Sequence, residues 1–327
     1  MLEILLDAIR EFVHVVRARL RRGPLRQSWS FTTELGVGVL RRIMKRSMEH
    51  DIPWLREVMD RAPQTDKVLR SVRFEEVDAG GVRALWCRPA GRPAPGRTLL
   101  YFHGGGYVLG SPEGHRELIA HLAIEADAQV LAPDYRLAPE HRFPAAQEDA
   151  IAAYRWLLDS GVDPGHLAVG GDSAGGGLSV ATLLQARNAG DALPAAAVLV
   201  SPWVDPFAEG GSMSANVESD YLDREVLVRW IEAHLGSADP DNPLVCNANA
   251  DLAGLPPLFV LWGGAEVLCD QIRAFVERAQ GAGVDVTPLE WEHMFHDWVA
   301  ARSLVRDAAP ATARLADFLR RRVKPAA

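Results

Sequence analysis

Leu167-Ala168-Val169-Gly170-Gly171-Asp172-Ser173-Ala174-Gly175-Gly176-Gly177-Leu178, continuing through Ser179-Val180-Ala181-Thr182-Leu183-Leu184-Gln185, decides the fold. Leu167–Val169 is an apolar run of the kind that forms a buried strand. The glycine-rich turn follows without a gap, and Leu178, Ala181 and Leu184 then recur at helical spacing. Strand, sharp turn and helix in that order place Ser173 at the tip of the turn. The turn holds its serine in a strained backbone conformation, so the neighbours must be very small. Gly171 and Gly175 leave room for the helix to pass close to the strand. The Ser173 hydroxyl then stands clear of the main chain at the positive end of a helix. A hydroxyl is a weak nucleophile until a base takes its proton, so the pattern calls for a base, an orienting group and oxyanion donors. The rival reading is a phosphate-binding glycine loop. It lacks support, because neither GxxxxGKS/T nor a GxGxxG opening a helix is present.

The 327-residue chain is long enough for a large α/β core with one elaboration. A hydrophobic content of 48% and a mean hydropathy of −0.04 describe an ordinary globular composition. The formal net charge of −8 argues against nucleic acid as a partner. Residues 1–50 run the other way, with ten Lys and Arg against five Asp and Glu, a net of +5 that leaves −13 for the rest. That basic segment could touch anionic lipid, but a solvated helix face is the better reading and membrane contact is not expected. Cys87, Cys246 and Cys269 are odd in number and widely spaced, which fits reduced thiols in a cytoplasmic setting. The N-terminal stretch, interrupted by Glu3, Asp7 and Glu11, is not a secretory signal, and no apolar run reaches the length of a membrane span.

Residues 1–62 read as helical. Leu2, Leu5, Ile9, Phe12, Val16 and Leu20 form one apolar stripe ended by Gly23-Pro24. A second helix is expected over about Thr32–Met48 and a short third after Pro53. With no strand before them, these helices are expected to pack over the domain as a cap. Val72–Val77 and Val82–Arg88 alternate about Gly80-Gly81 as an antiparallel hairpin. Strands are then expected at Thr98–Phe102, Gln129–Ala132, Leu167–Val169, Ala197–Val200, Leu258–Trp262 and Val284–Leu289. Helices are expected between them at Gly114–Asp127, Ala145–Ser160, Ala174–Ala189 and Asp270–Gly281, with Arg302–Arg322 closing the chain. This alternation predicts an α/β fold, a mostly parallel sheet flanked by helices. The interval between Pro202 and Leu258 is too long for a simple crossover. The expected organisation is therefore N-terminal cap helices over 1–65, a catalytic domain over 66–204 and 251–327, and a cap insertion over 205–250 that roofs the site.

His103-Gly104-Gly105-Gly106-Tyr107 directly follows the strand Thr98–Phe102, where an open parallel sheet forms its ligand crevice. Three glycines there let main-chain N–H groups face the crevice, the HGGG form of an oxyanion hole. Its expected donors are Gly105, Gly106 and Ala174. The base should lie in the loop after the last strand, which offers His293 and His296. His296 is favoured, with His293 as the alternative. The two also make an HxxH, but no ligand cluster supports a metal site. The orienting carboxylate should follow Leu258–Trp262. Glu266 lies nearest the strand end, whereas Asp270 is expected to cap the next helix. The chain order Ser173, Glu266, His296 is that of the α/β-hydrolases.

On these residues the chain resembles the bacterial hormone-sensitive-lipase-like (HSL, family IV) esterases of the α/β-hydrolase superfamily. The motifs that carry the likeness are HGGGY at 103–107, DYRLAPEHRFPAA at 134–146, GDSAGG at 171–176, GAEVLCDQ at 264–271 and HMFHDW at 293–298. It extends from about residue 70 to the C-terminus. The resemblance implies an α/β-hydrolase fold with an eight-stranded, mostly parallel sheet and a helical cap. It also implies that Asp134, Arg136 and Glu140 buttress the HGGG loop as a network, that His103 braces it, and that Asp172 serves the elbow. The chain departs from the family pattern in placing Glu266 where aspartate is usual, with His293 and Trp298 in place of the glycine and phenylalanine of the histidine block.

The function so implied is a serine carboxylesterase acting on short- to medium-chain carboxylic esters through a Ser173, His296, Glu266 triad, without a cofactor. A lactone or amide hydrolase of the same fold and a non-catalytic ligand-binding module are the alternatives. Tyr107, Trp203, Phe207 and Tyr221 are candidates to contact substrate, although each could equally be core. The expected partner is a small ester, and a homodimer would be in keeping with the family.

Overall fold

The computed structural model describes residues 2–60, 64–91, 93–207 and 209–326. Its centre is an eight-stranded sheet in the order β1-β2-β4-β3-β5-β6-β7-β8. The strands are β1 (Val72–Asp78), β2 (Arg83–Pro89), β3 (Thr98–Phe102), β4 (Gln129–Pro133), β5 (Leu167–Asp172), β6 (Ala196–Val200), β7 (Leu258–Gly263) and β8 (Val286–Trp291). β1 and β2 form an antiparallel hairpin, β2 pairs antiparallel with β4, and every other pairing is parallel. The fold is thus the α/β-hydrolase architecture.

β3, β5, β6 and β7 are buried along their whole length because both faces of the sheet are covered. Successive residues feed opposite cores: Leu99 and Tyr101 join one cluster, Leu100 and Phe102 the other. α5 (Ala145–Asp159), α6 (Ala174–Ala189) and α9 (Cys269–Gly281) cover one face with Tyr154, Leu183 and Phe275. α4 (Arg116–Glu125) and α10 (Ala308–Arg322) cover the other with Leu122 and Phe318.

Above the carboxyl ends of the strands sit α1 (Leu2–Arg22), α2 (Phe31–Ser47) and α3 (Ile52–Asp60), with α7 (Gly211–Ala215) and α8 (Arg224–Leu235) from the long β6–β7 interval. Ser30 and Asp223 cap α2 and α8, their side-chain oxygens accepting the N–H of Thr33 and Val226 at 3.0 Å each. The two cap segments are joined by arginines that donate to main-chain carbonyls. Arg41 binds Asp220 O at 2.8 Å and Arg229 binds His50 O at 2.5 Å. Among the described residues no helix is long and apolar enough to cross a membrane.

The last strand runs over Val286–Trp291, two residues later than the expected Val284–Leu289, and two helix starts move. The closing helix begins at Ala308, not Arg302, after a 3-10 turn over Trp298–Ala301. Burial of Val305 and the bond from Trp291 Nε1 to Asp307 Oδ1 (3.0 Å) hold the intervening residues out of the helix. Asp270 does not cap α9, which starts one residue earlier behind Leu268; its carboxylate instead accepts the N–H of Ser212 at 2.7 Å.

α6 crosses β3 so closely that a Cβ on Gly175 would overlap the carbonyl oxygen of Phe102. Neither main chain has slack to yield. Gly175→Ala is therefore expected to destabilise the fold by about 3 kcal/mol in urea unfolding. Gly281→Ala, facing open space at the end of α9, should be neutral or slightly stabilising.

Candidate active site

β5 ends at Asp172 and α6 begins at Ala174, so the chain reverses on Ser173 alone, with φ 51° and ψ −120°. An L-residue holds that conformation only when its surroundings over-determine it, at a strain of roughly 1–3 kcal/mol. Here Ser173 N donates to Val200 O (2.9 Å), while Ser173 O accepts from Gly176 N (3.0 Å) and Trp203 N (2.8 Å). Main chain on both sides clamps the turn and leaves the side chain facing a cavity of about 350 Å³.

The β8–α10 loop brings His296 to the same place. Its Nε2 lies 2.8 Å from Ser173 Oγ, and the ring is almost fully buried. Glu266, from the turn after β7, lies on the opposite side of the ring, with Oε2 3.9 Å from Nδ1. That is too long for a hydrogen bond. Among the described residues neither His296 Nδ1 nor Glu266 Oε1 has a partner, so closing the gap to the carboxylate would satisfy the ring nitrogen. Glu266 Oε2 is held by the hydroxyl of Ser201 (2.6 Å) and the N–H of Gly263 (3.1 Å). His293, three residues before His296, faces a separate small cavity with Glu290 and Trp291, and its carbonyl accepts from Trp29 Nε1 at 2.7 Å. Among the described residues no cluster of histidine, cysteine and acidic groups suits a metal ion.

The glycine loop is shaped by positive φ at Gly105 (120°) and Gly106 (61°). A Cβ on Gly106 would strike the indole of Trp230, which lines the cavity together with Gly105. Among the described residues the N–H groups of Gly105, Gly106 and Ala174 have no protein acceptor. The neighbouring N–H, that of Gly104, is taken by Asp172 Oδ2 at 2.9 Å, and Tyr101 donates to Asp172 Oδ1 at 2.8 Å. Burial pushes Asp172 up, but His115, 3.5 Å away, and the Tyr101 hydroxyl outweigh it and hold the carboxyl below its ordinary range. Asp172 thus ties the glycine loop to the elbow as an anion. His103 stacks on Tyr135 at 4.3 Å, and Tyr135 donates to His103 O at 2.8 Å. Burial lowers His103 to about 3, so its ring is a neutral packing group.

Asp134, Arg136 and Glu140 do not form one network. Asp134 pairs with Arg83, Arg136 with Asp149, and Glu140 with Arg56. Arg56, on α3, is the actual link, since it also donates to Val108 O (2.6 Å) and Ala138 O (2.5 Å). Of the aromatic candidates, Tyr221 lines the cavity and the other three do not. Tyr107 is buried with its ring stacked on His234 at 4.1 Å, Trp203 is buried behind the elbow, and Phe207 lies half-exposed in the outer loop.

Two carboxylates that sequence reasoning did not single out surround the imidazole. Asp220, fully buried in the insertion, accepts from Val267 N (2.7 Å) and His296 N (3.4 Å), fastening the acid loop to the histidine loop. Asp297, in a left-handed conformation (φ 52°), places Oδ2 3.2 Å from His296 Nε2 and lines the cavity. Burial disfavours the imidazolium, but Asp297, Glu266 and Asp220 together override it and raise His296 well above an ordinary histidine. Burial likewise raises Glu266, against the pull of His296 and Ser201.

Comparison with known proteins places the chain in a family. A family model described as the alpha/beta hydrolase fold matches residues 99–300. An acetyl-hydrolase of Streptomyces hygroscopicus is 48% identical over 240 residues, covering 73% of this chain and 80% of that protein. The crystal structure of an esterase from the bacterial hormone-sensitive lipase family superposes with a TM-score of 0.84 at 39% identity, over 90% of this chain and 99% of that one. The esterase EstE5, in a crystal soaked with p-nitrophenyl butyrate, gives a TM-score of 0.81 at 37% identity, over 86% and 97% of the two chains.

The Asp297 carboxylate stabilises the protonated ring, so its removal should lower the His296 pKa. In Asp297→Asn an NMR titration of the imidazole is expected to move its midpoint down by about one unit or more. An unmoved midpoint would show that Asp297 does not act on the ring.

Proposed function

From the premise that the chain belongs to the bacterial hormone-sensitive-lipase family of α/β hydrolases and is a carboxylic ester hydrolase, we propose that Ser173, His296 and Glu266 form its catalytic triad. The observation that carries this is the 2.8 Å approach of His296 Nε2 to a hydroxyl held in a positive-φ turn, beside three unclaimed N–H groups. His296 takes the Ser173 proton as the oxygen attacks the ester carbonyl. The N–H groups of Gly105, Gly106 and Ala174 receive the oxyanion, where loss of one donor typically costs about a hundredfold or more. His296 then protonates the leaving alcohol, and water repeats the sequence on the acyl-enzyme.

Glu266 keeps the proton of the neutral ring on Nδ1, leaving the Nε2 lone pair for Ser173, and stabilises the imidazolium that forms. Its 3.9 Å separation from Nδ1 fits a resting site, whose bonds tighten when substrate enters. Asp297 favours the same imidazolium from the cavity side. The rate should therefore climb with pH into the alkaline range, as His296 gives up its proton and becomes a competent base.

Short- to medium-chain acyl groups suit the cavity, whose walls include Leu40, Met44, Met59, Leu109 and Leu222 above Ser173. The cap helices supply the first three, so acyl preference is set by the cap. EstE5, soaked with p-nitrophenyl butyrate, whose acyl group has about four carbons, supports the same range.

A p-nitrophenyl ester series from acetate to palmitate tests the reading. Turnover is expected to peak at short to medium chains and to fall about a million-fold in Ser173→Ala. Glu266→Gln should lose about ten-thousand-fold in kcat, because the ring then adopts the wrong tautomer. Retained turnover in Ser173→Ala would overturn the assignment.

A further inference from the structure

α1 is packed inside out. The residues it turns toward the protein, once per turn, are Asp7, Glu11 and Val15, all buried. The two carboxylates are matched by α2: Arg46 grips Asp7 (2.6 Å) and Arg42 grips Glu11 (2.6 Å). A Cβ on Gly38 would overlap Glu11, so the helices meet at this polar seam. The opposite side of α1 carries the apolar residues. Leu5, Leu6, Ile9, Phe12 and Val13 are 41–58% exposed and Leu20 is 83% exposed. They recur at three- and four-residue steps and make one continuous stripe along the helix.

Arg10, Arg17 and Arg21, spaced by seven and four residues, run along one flank of that stripe and are exposed. Among the described residues Arg17 and Arg21 make no ion pair. The segment is basic in a chain that is otherwise acidic, at +5 over residues 1–50 against −13 for the remainder. An apolar strip edged by arginines is what a helix lying in a membrane interface presents to lipid.

We propose that α1 is a docking helix for anionic lipid surfaces, seating the enzyme on the bilayer through its cap. The apolar stripe enters the headgroup–acyl boundary and the arginine row meets lipid phosphates. A second copy of the chain fits the stripe less well, because a two-fold contact would bring two +5 segments together. Docking places α2 between the bilayer and the cavity, into which its Leu40 and Met44 project. The substrate opening then lies close to where lipophilic esters partition.

Co-sedimentation of the full chain with phosphatidylglycerol/phosphatidylcholine vesicles, and with phosphatidylcholine alone, tests this. Binding is expected only with the anionic vesicles and should weaken at high salt. Ile9→Glu with Val13→Glu, and separately Arg17→Gln with Arg21→Gln, should each reduce the bound fraction about tenfold. Turnover of soluble p-nitrophenyl acetate should be unchanged in both, since none of these residues touches the site. Absence of binding to anionic vesicles would overturn the proposal, as would binding by both variants as strong as that of the parent chain. Size-exclusion data in which Ile9→Glu with Val13→Glu splits a dimer, without any lipid binding by the parent chain, would assign the stripe to a second copy instead.

Discussion

The contact between the main chain of α6 at Gly175 and the carbonyl of Phe102 on β3 sets the geometry of the site. Only a bare α-carbon permits this approach, and only this approach lets the chain reverse at one residue. Ser173 takes the resulting strain in its backbone, with φ at 51°. The strain is held by main-chain bonds to β6 and to the residues that follow it. A hydroxyl so placed cannot settle back onto its own strand or helix, and it meets the imidazole brought by the loop between β8 and α10.

Around that imidazole the protein assembles more negative charge than one ring needs. Glu266 stands on the Nδ1 side, Asp297 near Nε2, and Asp220 beneath the loop. Burial alone would keep all four groups neutral. Their mutual attraction is what lets a protonated ring exist in a buried site, the form that the acyl-transfer step transiently creates. Ser201 contributes to the same balance, since its hydroxyl donates to Glu266 and accepts from the N–H of Asp297.

Features written in local pattern were legible in the sequence. The elbow, the glycine loop after β3 and the strand–helix alternation each depend on neighbours within about ten residues, and all are present in the expected order, with some element ends displaced. The departures come from contacts between distant segments. Asp220 reaches His296 across 76 residues from the irregular stretch of the insertion that precedes α8. Tyr107 and Trp203 were indistinguishable from cavity aromatics until the cap was in place; the first is committed to His234 and the second is buried. α1 misled in the opposite sense. Its apolar stripe suggests an inward face, but Arg42 and Arg46 on α2 favour the acidic side and turn the stripe outward.

The central claim is that one strained serine is an activated nucleophile, and reaction with an organophosphonate addresses it most directly. Incubation with a fluorophosphonate followed by intact-mass and peptide mass spectrometry should show one adduct per chain, carried by Ser173. Labelling should be slowed by orders of magnitude in His296→Ala. An adduct on another residue, or labelling at the same rate without the imidazole, would contradict the account.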